Sequence, residues 1–231
     1  MIRKLVVEAI GTFFLVFTIG MTVLEPNSAG LLAPIAIAAS LMVMVYAGGH
    51  ISGAHFNPAV TLAVLLRGRA TIHEAVGYWV FQLVAAAIAA NVVVWIKGGG
   101  PLTVMDVDVP MVLAVEFLFT FALAYVVLNV ATARGVAGNS YYGLAIGFTV
   151  LAGGYAVGPI SGGAFNPAVT LGVLVEGGLA ASDLWPYLVA QLLAGAAAAL
   201  TFNVLDMGND KATTATPEQQ ASLRPQAEPA P

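Results

Sequence analysis

Six long apolar stretches and two short ones make up most of this chain. The long ones lie near 5–24, 31–50, 74–96, 110–131, 140–157 and 183–205, and almost none of their positions is charged. About 20 apolar residues in a helix cross a hydrocarbon core of roughly 30 Å, so each long stretch predicts a spanning helix. The short runs, 58–66 and 167–175, are about half that length. At about 1.5 Å per residue each gives a helix of roughly 13 Å, which enters a bilayer without crossing it. Past Asp206 the pattern ends in a polar, Pro-rich segment, so 206–231 reads as a disordered tail.

The two short runs belong to a repeat. "ISGAHFNPAVTLAVLL" at 51–66 and "ISGGAFNPAVTLGVLV" at 160–175 agree at twelve of sixteen positions. "YWVFQLVAA" at 78–86 corresponds to "YLVAQLLAG" at 187–195, and Glu8 to Glu116, at offsets of 109 and 108 residues. The chain therefore divides into a first half, 1–105, and a second, 106–205. Each holds three crossings and one short run. An odd number of crossings inverts the second half, and such inverted repeats place a site near the bilayer midplane.

Composition agrees with a membrane protein: 59% of residues are hydrophobic, 9% are charged, and the mean hydropathy is +0.90. The net charge of −4, with no basic stripe, argues against a nucleic-acid partner. Cysteine is absent, and His50, His55 and His73 lack a zinc-binding spacing, so no metal or other cofactor is expected. No nucleophile–base pair or phosphate-cradling loop marks an enzyme. With the amino terminus inside, the inner segments carry Arg3, Lys4, Arg67, Arg69 and Arg134, and the outer ones only Lys97. That bias places both termini in the cytoplasm of a plasma or inner membrane.

Each short run opens on Asn-Pro. Pro58 and Pro167 suit the first position of a helix, where the missing N–H costs nothing. Asn57 and Asn166, pushed out of the helical region by the following proline, suit its cap. Two half-helices entering from opposite faces meet tip to tip, each carrying roughly +0.5 of a charge at its amino terminus. Together they oppose cations and protons, while the Asn amides offer neutral donors to a water or hydroxyl oxygen.

The paired Asn57-Pro58-Ala59 and Asn166-Pro167-Ala168, with "SGAHFNPAVT", resemble the aquaporins, or major intrinsic proteins, over about residues 3 to 205. The resemblance implies an all-α membrane fold of six transmembrane helices and two re-entrant half-helices in an inverted 3+3 repeat. It further implies a homotetramer of independent pores. Glu8, Glu116 and His55 match family residues that brace the re-entrant loops. The family's outer selectivity filter falls on Ile37, Gly154, Gly163 and Val169. Val169 replaces the Arg common in water-selective members, which predicts a wider and greasier constriction unless Tyr155 or a neighbour fills it. Glycerol-specific members carry Arg then Asp after the second motif, where this chain has Val169-Thr170. The expected function is a passive channel in the lipid bilayer for water first, then ammonia, hydrogen peroxide, urea or glycerol, excluding ions and protons. A glycerol/urea facilitator with little water flux, a closed-pore scaffold and a secondary transporter stay open as alternatives.

Overall fold

Eight helices form the protein in the computed structural model, which describes residues 1–99 and 104–208. They are α1 (Ile2–Val23), α2 (Ala33–Ser52), α3 (Pro58–Leu66), α4 (Ile72–Lys97), α5 (Val109–Thr132), α6 (Tyr142–Ser161), α7 (Pro167–Glu176) and α8 (Leu184–Val204). All except α3 and α7 are long and apolar enough to span a membrane. Helices keep every interior backbone hydrogen bond within the segment, which the hydrocarbon demands.

The predicted elements fall within a few residues of these bounds. The largest difference is in α6, which runs on to Ser161 through Pro159 rather than ending near 157. The predicted tail begins at Asp206; residues 206–208 form a turn, and Arg134 N–H donates to Gly208 O at 3.4 Å. The remainder of that expectation, 209–231, lies outside the described residues.

Helices α1 and α4 turn bulky apolar side chains outward and several small residues inward. On α1 the outer face shows Val6, Ile10 and Phe14, while Gly11, Thr12 and Gly20 are buried. On α4 the buried face is Ala75, Ala85, Ala86, Ala89 and Ala90. Small inward residues let backbones approach closely, the packing mode of helices in lipid. Gly147 sits against Ala38 O and Met42, joining α6 to α2, and Gly195 lies directly over Ala59 O, joining α8 to α3.

The packing obeys the repeat. Helix α1 packs on α2 and α4 as α5 packs on α6 and α8, and α7 lies on α4 as α3 lies on α8. Each half thus donates its half-helix to the other half. That exchange brings the starts of α3 and α7 together at the centre of the molecule.

Candidate functional site: a cavity between two half-helix tips

Both half-helices are capped by the asparagine before them. Asn57 Oδ1 accepts from Ala59 N–H at 2.8 Å and Val60 N–H at 3.3 Å, and Asn166 Oδ1 accepts from Ala168 N–H at 2.9 Å. The preceding phenylalanines adopt left-handed backbone, φ 48° at Phe56 and φ 49° at Phe165. Bulky residues avoid that region, so this strain reports a constraint. The constraint is visible across the two halves: Asn57 Nδ2 donates to Phe165 O and Asn166 Nδ2 donates to Phe56 O, both at 2.9 Å. The strained turns aim these carbonyls at the opposite asparagine. An amide nitrogen carries two hydrogens, so one N–H of each asparagine is tied across and one is left for the cavity.

Two buried carboxylates hold the loops that carry these turns. Glu8 Oε1 accepts from the Ser52 hydroxyl at 2.7 Å and His55 N–H at 3.0 Å; its Oε2 accepts from Phe56 N–H at 2.7 Å and Gln82 Nε2 at 2.8 Å. Glu116 repeats the set with Ser161 at 2.7 Å, Ala164 N–H at 3.0 Å, Phe165 N–H at 2.8 Å and Gln191 Nε2 at 2.9 Å. Four donors per carboxyl replace the water lost on burial, which an unpartnered acid in an apolar helix could not offset. Tyr78 and Tyr187 hydroxyls add bonds to Ser52 O and Ser161 O, at 2.6 and 2.8 Å. Gln82 and Gln191 thus belong to the loop supports.

Asn57 and Asn166 face one central cavity of about 30 Å³. Its walls are matched pairs from the two halves: Leu15 with Leu123, Ile37 with Ile146, Leu41 with Val150, Val60 with Val169. Of the four expected filter positions, Ile37, Gly163 and Val169 line it. Gly154 does not; a Cβ there would point at Pro34, 3.1 Å from its Cβ, a turn before Ile37 on α2. Val150, one turn earlier on α6, lines the cavity as the repeat partner of Leu41. The sequence signal for Val150 was available, since it stands 109 residues after Leu41. Tyr155 does not fill the gap either: it is half exposed, and its hydroxyl donates to Leu31 O at 2.8 Å. Apart from His55, Asn57 and Asn166, the side chains that line the cavity are apolar.

A vestibule of about 680 Å³ opens on the side predicted to be inner, bordered by His50, Arg69, Arg134 and Asn139. His55 borders both this vestibule and the central cavity. Its Nδ1 lies 3.1 Å from Thr61 Oγ1.

Known proteins share this plan. A solved structure, the X-ray structure of the aquaglyceroporin from Plasmodium falciparum, matches with a TM-score of 0.75 at 18% identity, over 90% of this chain and 98% of that one. Aquaporin NIP1-1 of Oryza sativa subsp. japonica is 36% identical over 217 residues, covering 90% of this chain and 76% of the relative. Nodulin-26 of Glycine max is 34% identical over 233 residues, covering 96% and 84%. Matches to the family described as Major intrinsic protein span residues 1–155 and 142–227. With its opposed Asn-Pro half-helices and inverted helical repeat, the chain belongs to the major intrinsic protein family.

Proposed function

We infer that this integral, multi-pass membrane protein is a passive channel for water and small uncharged solutes, and not an enzyme. One observation carries the reading: the two asparagine amides, cross-tied to Phe165 O and Phe56 O, face one shared cavity with one N–H each to offer. An oxygen seated there accepts from both amides and turns its own hydrogens toward the two exits. Its position interrupts a proton-conducting chain of waters. The half-helix amino termini, each roughly +0.5 of a charge, oppose cations at the same point. With Val169 in place of an arginine, these dipoles carry the rejection of protons.

Ile37, Gly163 and Val169 form an apolar constriction on the outer side, and Glu8, Glu116 and His55 keep the loops in register. The relatives named aquaporin and the aquaglyceroporin fold support a substrate range of water together with small neutral solutes such as glycerol or urea. The excess of arginine and lysine in the predicted inner segments supports cytoplasmic termini in a plasma or inner membrane. The repeat supports two structural halves meeting near residues 105 and 106, and family membership supports a homotetramer with a passage in each protomer.

Stopped-flow light scattering on proteoliposomes tests the reading. An impermeant osmolyte is expected to shrink them faster than empty vesicles, and a glycerol gradient to be followed by rapid re-swelling. No acceleration in either experiment would reject the channel.

A further inference from the structure

Glu176 closes α7 at the end away from the cavity. It is buried, and its Oε1 has no hydrogen-bond partner among the described residues. The carboxyl fills a notch between α1 and α4 that exists because position 20 is glycine: a Cβ there would run into Oε1 and into the Val93 side chain. Around α3 the repeat puts Arg67, Leu128 and Phe202 at the places of Glu176, Gly20 and Val93. A cation suits the negative end of a helix, and a carboxylate does not.

The charged groups on the surrounding elements are held elsewhere. Those of α1, Arg3, Lys4 and Glu8, lie in its first two turns, and α3 carries Arg67 at its far end. On α4, Lys97 stands one turn past Val93, and its Nζ donates to Leu24 O at 2.7 Å and Pro26 O at 2.6 Å. Glu25 accepts from the Ser28 hydroxyl at 2.6 Å. Asp183, ahead of α8, accepts from the Ser182 hydroxyl at 3.2 Å. Asp106 and Asp108 are acids on the loop that meets Gly178 O through Met105 N–H. No charge among the described residues offsets the burial of Glu176. A bare charge in such a site is costly, so the notch holds the neutral acid.

Val169, Gly172 and Glu176 follow one another along one face of α7 at helical spacing. Gly172 rests on Val16 as Glu176 rests on Gly20, so two successive turns of α7 lie on α1. The same seam reaches the cavity, whose wall includes Leu15, Ile19 and Val169.

We propose that Glu176 is a protonation switch for the passage. As the neutral acid it seats α7 on α1 and keeps the cavity open to solute. On losing its proton the carboxylate leaves the notch for water, α7 shifts along the seam, and flux falls. The proposal adds regulation to the channel reading above and rests on it.

The test compares the wild type with Glu176→Gln, which keeps the shape and cannot ionise, from mildly acidic to clearly alkaline buffer. Folding holds a proton that the unfolded chain gives up, so wild-type stability is expected to fall as pH rises, and more steeply than that of the variant. Melting temperature in detergent reads this without reference to transport. Wild-type water permeability in proteoliposomes is expected to drop to about half in alkaline buffer, the effect of an even split between seated and unseated α7. In Glu176→Gln it is expected to stay level. Other ionisable groups titrate in both proteins and cancel in the comparison. Matching pH profiles in the two proteins, or a wild-type flux that rises with pH, overturn the proposal while the channel reading stands. A wild type that carries no flux at any pH removes the channel reading and the switch with it.

Discussion

The two re-entrant loops, 52–57 and 161–166, are the same device built twice, and comparing them separates what holds the fold from what tunes it. Serine, phenylalanine and asparagine recur at matching places, and each loop hangs on one buried glutamate through four donors. The differences lie at the edges of that frame. His55 answers to Ala164 on the cavity wall, and Arg67 answers to Glu176 at the far ends of the half-helices. Arg67 stacks its guanidinium 4.7 Å from the Phe202 ring centroid. Glu176 is buried, and its Oε1 has no hydrogen-bond partner among the described residues, in a notch where a Cβ on Gly20 would collide with it. Positions that bear on the joint between halves are repeated; positions that face a solute or a half-helix end are free to diverge.

The harshest way to break the comparison is to remove a glutamate. Glu116→Leu leaves Ala164 N–H, Phe165 N–H and Gln191 Nε2 without their acceptor, and Glu8→Leu does the same in the first half. Each is expected to cost about 3–5 kcal/mol, as for breaking a buried charged network. In detergent this is read as a lost monodisperse peak or a sharply lowered melting temperature. Similar losses in both halves support equivalence, and a loss confined to one half contradicts it.

Val169→Arg breaks the symmetry at the wall rather than in the frame. It sets a long cation opposite Ile37 while Val60 keeps its aliphatic surface. Glycerol flux is expected to fall by about tenfold with water flux retained, a discrimination typical of one altered pocket contact. Equal losses of both fluxes would mean a plugged or misfolded passage. Glu176→Gln has the smallest expected effect, a change within about 1 kcal/mol, because the amide keeps the shape of a side chain whose Oε1 has no described partner to lose. Lower thermal stability in this variant would reveal that the carboxylate is satisfied by a group beyond the described residues.

Much of the fold was legible because its signals are local or repeated. Six apolar stretches of bilayer length predict six crossings, and Asn-Pro at the head of a short run predicts a capped half-helix. Ile37, Gly163 and Val169 were placed from distance along the chain to the asparagines, and all three border the cavity. Gly154 follows from the same count and does not border it, because it packs on Pro34 of α2. Which small residues of α6 lie against α2 is set by contacts such as Gly147 on Ala38 O and Gly143 on the Tyr46 ring, which the pattern of an all-apolar helix does not announce.

The sequence by itself determined the class of molecule, the inverted repeat, the two helix caps and the two acids that needed buried partners. Each follows from composition, period or a dipeptide whose backbone preference is intrinsic. Only the tertiary structure decided that each asparagine is tied to the other half's phenylalanine carbonyl. That outcome depends on groups 108 and 110 residues apart meeting within hydrogen-bond distance, and local preferences do not encode such meetings.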